Sequence, residues 1–300
     1  MIYTVTLNPA LDYVIQTNGF TVGAINRTTS EHLYFGGKGI NVSWILKELD
    51  TESTALGFTA GFTGAALESG LKEHGIRTDF VEAESGMTRI NVKLHSGEET
   101  EINGTGPYIS EQNFENLLSK VKQLKKGDLI ILSGSIPSCM KEDTYERIVQ
   151  ALPEGVLFAA DAEKKLLLNV IRYRPFLIKP NHIELADLFN TQFHSEEDII
   201  VHARRLQEMG ARNVLVSMAG EGAMLIAEDG NVYRRKAAKG TVVNSVGAGD
   251  SMTAGFTAGW LKTGDYAYAL KLGTACGGAT AFHSGLASAE EIREVFDTLD

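Results

Sequence analysis

The run NSVGAGDSMTAGFTAGW, Asn244 to Trp260, places Asp250 directly after Gly249 and close to Gly247, where an apolar stretch begins. Glycines at a helix N-terminus leave backbone N–H groups uncovered, pointing outward with the positive end of the helix dipole. Such a turn binds anions, phosphates above all. A carboxylate there repels phosphate unless it has another task, and taking a proton from an attacking hydroxyl is such a task. Phosphoryl transfer needs both parts, donors for the migrating group and a base for its acceptor. On this reading Gly247, Ala248 and Gly249 hold the phosphoryl group while Asp250 activates the acceptor. The plainer alternative makes Asp250 a helix cap and the glycines a turn. Ala254, Gly255, Ala258 and Gly259 are small residues suited to close helix packing.

A second glycine cluster, FGGKGINVS from Phe35 to Ser43, also opens a helical pattern. Its glycines permit close backbone approach, Lys38 supplies a cation, and Asn41 adds a polar fork one turn later. Alone, GGKG also reads as a flexible turn with a solvated lysine. Two such openings in one acidic chain suggest two phosphate-bearing ligands.

Other phosphate and catalytic motifs fail. There is no GxxxxGK[ST], and the third glycine of a dinucleotide fingerprint starting at Gly247 is replaced by Met252. GxSxG, HRD and DFG are absent. The seven histidines, at positions 32, 74, 95, 182, 194, 202 and 283, show no HExxH or paired metal spacing, and read as surface or packing residues.

The elements that must carry these residues are legible in the hydrophobic pattern. Strand-like runs cover Ile2–Leu7, Asp128–Leu132, Val156–Ala160, Pro175–Lys179 and Asn213–Ser217. Amphipathic stretches lie at Gly39–Leu49, where Ile40, Trp44 and Ile45 or Leu46 face a core, and at Ser110–Leu124, Lys141–Leu152 and Ser195–Met209. Ser195 is the expected N-cap of the last. Alternating strands and helices predict an α/β fold with a mainly parallel sheet covered on both faces. Two excursions, Asp12–Phe35 and Thr88–Asn103, break the rhythm with short β-type segments, the second turning near Ser96-Gly97. They read either as two surface hairpins or as one small antiparallel sheet standing over the main one. No linker or repeat divides residues 1–300, so a single domain is expected.

Composition narrows the function classes. The chain of 300 residues has 28 basic and 38 acidic side chains, a net charge of −10, which argues against a nucleic-acid binder. No apolar run reaches membrane-spanning length and the N-terminus lacks a leader pattern, so no membrane partner is expected. Two cysteines without CxxC spacing, Cys139 and Cys276, fit a reduced cytoplasmic setting.

GGKGIN near the start, paired with VNSVGAGD near the end, resembles the signature pair of the ribokinase-like PfkB carbohydrate kinases. The likeness continues through TVTLNPALD, ESTALGFTAGFTG, TRINVKL, ETEINGTGP, SGSIP, PFLIKPNHIEL and NVLVSMAGEGA. Within the family it is greatest to members acting on fructose 1-phosphate, with tagatose 6-phosphate kinases nearby. The resemblance implies a three-layer α/β/α sandwich carrying a small β-sheet lid, formed by approximately 12–35 and 88–103. It implies ATP-dependent transfer to fructose 1-phosphate, giving fructose 1,6-bisphosphate. A non-catalytic sugar-phosphate sensor on the same scaffold is the reading from another class.

Carried over residue by residue, the resemblance makes Asp250 the base and Gly247, Ala248 and Gly249 the anion hole. Asp12, Gly37 and Asn41 would hold the sugar, Lys38 and Arg89 its phosphate, with Ser135 adding a hydroxyl. Asn181 and Glu184 match an NxxE element that orders Mg²⁺, although Glu184 also suits a helix first turn. Ser217, Met218, Ala219, Gly220, Glu221 and Gly222, with Gly249, would line the nucleotide. The chain departs from the family pattern at Ala219, where glycine is common, at Phe35, where proline is, and at Trp44, where arginine is. Open lid edges suggest pairing of two copies.

Overall fold

Runs such as LIIL and VLVS have no polar alternation because both of their faces are covered. The computed structural model describes residues 1–162 and 164–299. Numbering elements in chain order, β1 (Ile2–Thr6), β4 (Ser53–Thr59), β9 (Leu129–Ser133), β10 (Leu157–Asp161), β11 (Leu177–Ile178) and β12 (Asn213–Ser217) run parallel in the order β12-β11-β10-β9-β1-β4. An antiparallel edge, β13 (Ala223–Ile226) and β14 (Val232–Arg235), extends the sheet beyond β12. Two-residue strands β5 (Arg77–Thr78) and β6 (Val81–Glu82) pair with β4 at the other side.

Alternate residues of each central strand feed opposite layers, as strand geometry requires. Ile130 and Leu132 pack with α3 (Glu111–Val121), α4 (Thr144–Gln150), α5 (Lys164–Ile171) and α7 (Glu196–Glu208). Leu129 and Ile131 pack on the other face with α1 (Lys38–Glu48), α8 (Ala248–Thr263), α9 (Tyr266–Ala281) and α10 (Ala289–Thr298). The result is the expected three-layer α/β/α sandwich. Two further helices complete the set: α2 (Gly61–Glu73) packs Leu67 and Leu71 against Ile40, and α6 (His182–Leu188) follows β11.

Helices α8 and α9 lie close together because small residues let them: a Cβ on Gly255 would stand 2.6 Å from Cys276 Sγ, and one on Gly259 2.9 Å from Ala269 Cα. Ser195 caps α7 as expected, in a capping box with Asp198. Trp44 meets the expectation in part. Ile40, Val42, Ile45 and Leu46 are fully buried on α1, while Trp44 is half-buried, packing against the small core of Ile40, Leu67 and Leu71 and against the His74 ring, centroids 4.2 Å apart. The run Pro175–Lys179 yields only the two-residue β11, and Lys141–Leu152 shortens to α4.

The two excursions form one sheet. Strands β2 (Ala10–Thr17), β3 (Thr28–Gly36), β7 (Arg89–Ser96) and β8 (Glu98–Asn103) are ordered β3-β2-β7-β8. Each outer strand is antiparallel to its neighbour, but the inner pair β2 and β7 is parallel, so the sheet is mixed rather than antiparallel. Both inner strands start at the same end, Ala10 beside Arg89, and therefore run the same way. The second hairpin turns at Gly97, as its sequence suggested, with Ser96 paired to Glu98.

Candidate active site

The parallel strands end in polar residues on one edge of the main sheet. Across the sheet, from β1 to β12, these are Thr6, Ser133, Asp161, Lys179 (just past β11) and Ser217. Ligands bind to open α/β sheets in the crevice at this carboxyl edge. Here the crevice is a cleft of about 340 Å³ lined by Asp12, Gly37, Lys38, Asn41, Arg89 and Ser135, together with Gly247 and Asp250. Residues as far apart in sequence as Asp12 and Asp250 thus line one cleft.

The turn before α8 is built as its glycines suggest. Gly247 is the N-cap in left-handed conformation, φ 83°, and no side chain caps the helix. Asp250 is therefore not a cap. Its Oδ2 accepts a hydrogen bond from Asn41 Nδ2 at 2.8 Å. Ser251 Oγ donates to Gly247 O at 2.9 Å and lies 2.8 Å from Thr280 Oγ1, tying the turn to α9. Ala248 spends its N–H on Ser245 O at 3.2 Å. The N–H groups of Gly249 and Asp250 fall in the first turn, which has no intrahelical acceptors for them.

Asp250 is 6% exposed. Burial pushes its carboxyl up to about 7, and the nearby Asp161 carboxylate adds to the rise. Asn41, Lys38 and Lys179 pull the other way. A carboxyl held near neutrality can take up a proton and return it.

One wall of the cleft comes from the small sheet and the α1 turn. Register places Asp12 beside Asn91 and Ala10 beside Arg89. Asn91 Nδ2 donates to Asp12 Oδ1 at 2.8 Å, and Arg89 Nε donates to Asn8 O at 3.1 Å. Burial lowers the Arg89 guanidinium, with Asp12 opposing. Ile40 N donates to Thr6 Oγ1 at 3.1 Å, which pins the glycine turn to β1. Asp161 raises the Lys38 ammonium above its ordinary value, with Nζ 3.6 Å from Asp161 Oδ1.

The residues expected at the nucleotide lie further along the strand tips, outside the cleft lining. Asn181 pairs with Ser217 in a parallel bridge, and a 3₁₀ turn spans Ala219–Glu221. Gly222 closes the turn, donating to Ala219 O at 3.0 Å. Met218 points into the core at 3% exposure, and its N–H donates to Gly222 O at 2.8 Å while its carbonyl accepts from Glu221 N at 3.0 Å, so its side chain does not line a nucleotide as expected. Ala219 has φ 47°, the left-handed conformation that glycine adopts without strain. Asn181 and Glu184 form a capping box at α6, Asn181 Oδ1 accepting from Glu184 N at 2.8 Å and Glu184 Oε2 from Asn181 N at 2.7 Å. The first-turn reading of Glu184 is thus realised, and its carboxylate remains exposed.

The pattern of the pfkB family carbohydrate kinases matches residues 5–293. The chain belongs to this family. It is 46% identical to 1-phosphofructokinase of Bacillus subtilis over 98% of this chain and 97% of that one. It is 38% identical to D-tagatose-1-phosphate kinase of Bacillus licheniformis over 97% and 96% of the two chains. The structure of phosphofructokinase-2 from Escherichia coli in complex with substrates and products superposes with TM-score 0.92 at 28% identity, covering 99% of each chain. As a pfkB kinase the chain keeps both signature turns, GGKG and GAGD, on one cleft.

Asp161, Lys179, Asn91 and Thr6 were missed by the sequence reading. The signal for Asp161 and Lys179 was present, since each is a charged residue closing an apolar strand-like run at the carboxyl edge. Asn91 carried no such mark.

Proposed function

We propose that the protein transfers the γ-phosphoryl group of ATP to D-fructose 1-phosphate, giving D-fructose 1,6-bisphosphate. The observation that carries this reading is Asp250, buried in the first turn of α8, on the same cleft as Lys38, Arg89 and Asp12. The 46% identity to a 1-phosphofructokinase supports the choice of sugar.

In this mechanism Lys38 and Arg89 hold the substrate phosphate, and Asp12, steadied by Asn91, accepts hydrogen bonds from the sugar hydroxyls. Gly37 lets the backbone approach the sugar, and Asn41 and Ser135 border it. The far hydroxyl then faces Asp250, which removes its proton as that oxygen attacks the γ-phosphorus. The new O–P bond forms, the bond to the β-phosphate oxygen breaks, and ADP leaves. Gly247, Gly249 and the adjacent first-turn amides receive charge on the moving group. ATP approaches along Ser217–Gly222. Glu184, with its exposed carboxylate, and Asn181 would hold Mg²⁺ through water, which suits an ion that needs no protein cage. When bound, it neutralises triphosphate charge.

The sheet of β2, β3, β7 and β8 serves as the lid, closing over the sugar and excluding water. Leu33, Tyr34 and Ile102 are exposed on it, and we assign them to pairing with a second copy. Sedimentation would show a dimer that Leu33→Glu dissociates. No helix among the described residues is long and apolar enough to cross a membrane, and a cytoplasmic setting suits an enzyme of phosphorylated sugars.

The identity to a D-tagatose-1-phosphate kinase favours a second reading, in which the epimeric ketose 1-phosphate is the preferred acceptor. ADP release measured with fructose 1-phosphate, tagatose 1-phosphate, fructose 6-phosphate and tagatose 6-phosphate decides between them. The highest kcat/KM belongs to fructose 1-phosphate if the main reading holds. No turnover with any of the four would leave a sugar-phosphate sensor.

A further inference from the structure

Between the two signature turns lies a buried carboxylate that the mechanism above does not use. Asp161, 5% exposed, closes β10 at the centre of the sheet's carboxyl edge. Its Oδ2 lies 3.2 Å from Nζ of Lys179, itself 7% exposed, and its Oδ1 3.6 Å from Nζ of Lys38. Each carboxylate oxygen therefore faces one lysine. A buried charge survives only when paired, and a buried pair is retained at the expense of desolvation.

The position of Lys179 gives that cost a purpose. A Cβ built on Gly249 would stand 3.1 Å from Lys179 Nζ, so the ammonium rests against the turn proposed to receive the phosphoryl group. Lys38 opens into the sugar cleft. We infer that Asp161 is a positioning residue that holds Lys179 at the phosphoryl-receiving turn of α8 while its second oxygen restrains Lys38 on the sugar side. Burial works to raise the Asp161 carboxyl, but the two ammonium groups outweigh it and hold it below the ordinary range. It stays ionised and keeps both lysines in place. Without it, Lys179 has no partner at salt-bridge distance among the described residues, and the cation leaves its place beside Gly249.

The inference rests on the proposed function, and it is tested by a measurement that needs no turnover. Calorimetry compares ATP with ADP binding for the full-length wild type, Asp161→Asn, Lys179→Met and the double variant. A lysine at the transferring group senses the γ-phosphate, so Asp161→Asn and Lys179→Met each lower ATP affinity about tenfold and leave ADP affinity within about twofold. Because Asp161 acts through Lys179, the double variant binds ATP no more weakly than Lys179→Met alone. In the kinetic version, Asp161→Asn lowers kcat about tenfold or more in the wild-type background and by less than about twofold in the Lys179→Met background. The double variant removes both buried charges and so keeps the comparison readable if Asp161→Asn folds poorly. Equal loss of ATP and ADP affinity, wild-type behaviour of Asp161→Asn, or the same proportional loss in both backgrounds would each overturn the inference. A wild-type protein that binds ATP but phosphorylates none of the sugars sinks the proposed function instead, and the ATP-against-ADP comparison still decides the role of Asp161.

Discussion

Asn41 Nδ2 donates to Asp250 Oδ2 at 2.8 Å, joining side chains 209 positions apart and locking the first glycine turn to the last. One residue opens α1 and the other α8, and these helices pack on the same face of the sheet. The bond fixes which way the carboxylate points, and several expectations follow from that direction.

Asp250→Asn keeps the shape and the Asn41 contact but cannot accept a proton. Its ADP release with fructose 1-phosphate falls by about 10²- to 10⁴-fold, the range typical of a lost general base. Calorimetric binding of the sugar phosphate is retained. Turnover near that of the wild type would remove Asp250 from the mechanism.

Activity and stability respond to pH with opposite sign. As the proposed base, Asp250 must be ionised to act, so kcat/KM rises as pH passes through about 7. The folded protein holds the proton more tightly than the unfolded chain does. The stabilisation this gives is complete below the ordinary carboxylate range and is lost as pH rises through about 7. Asp250→Asn is therefore more stable than the wild type at pH 8, by on the order of 1–3 kcal/mol, and melts higher there, and the gap narrows toward pH 4. Melting curves across that range check the sign.

Lys38→Met and Arg89→Met remove cations from the proposed sugar side of the cleft without touching the proposed base. Each raises KM for fructose 1-phosphate by about 10- to 100-fold, in keeping with a lost charge-assisted phosphate contact, and lowers kcat much less. A fall in kcat with KM unchanged would place the substrate phosphate elsewhere.

The two glycines of GAG separate chemistry from folding. A Cβ at Gly249 meets no backbone, only the Lys179 side chain with Nζ at 3.1 Å, so Gly249→Ala keeps the fold but pushes the ammonium off the turn and loses turnover. At Gly247 the same change meets Leu286 Cδ2 at 2.7 Å and a φ of +83°, and costs about 1–3 kcal/mol of stability. Thermal melts and initial rates of the pair test this contrast.

Ala219→Gly relieves a left-handed alanine, φ 47°, in the turn expected to border the nucleotide. It stabilises the protein by about 0.5–1 kcal/mol after the glycine's extra unfolded-state entropy is subtracted. A lower melting temperature would mean that the alanine methyl contributes packing that outweighs the strain.

Much of this protein was legible in its residues alone. Apolar runs such as LIIL and VLVS, alternating with amphipathic stretches, determine a covered parallel sheet because unbroken hydrophobicity in short segments has no other stable home. The GAGD and GGKG turns stood out as candidate anion sites, since glycine before a helix exposes amides and an acid beside them needs a reason, although each also reads as a plain turn. The relation between distant segments was not legible. The parallel pairing of β2 with β7 brings Asn91 to Asp12, yet either hairpin alone satisfies its own local pattern. The ion pairs of Asp161 with Lys179 and Lys38 exist only because β10 and β11 are neighbours whose tips meet α1 and α8. Local propensity sets which residues share an element; burial of charge at the edge of the sheet, a property of the packed whole, set the partners and ionisation of Asp250.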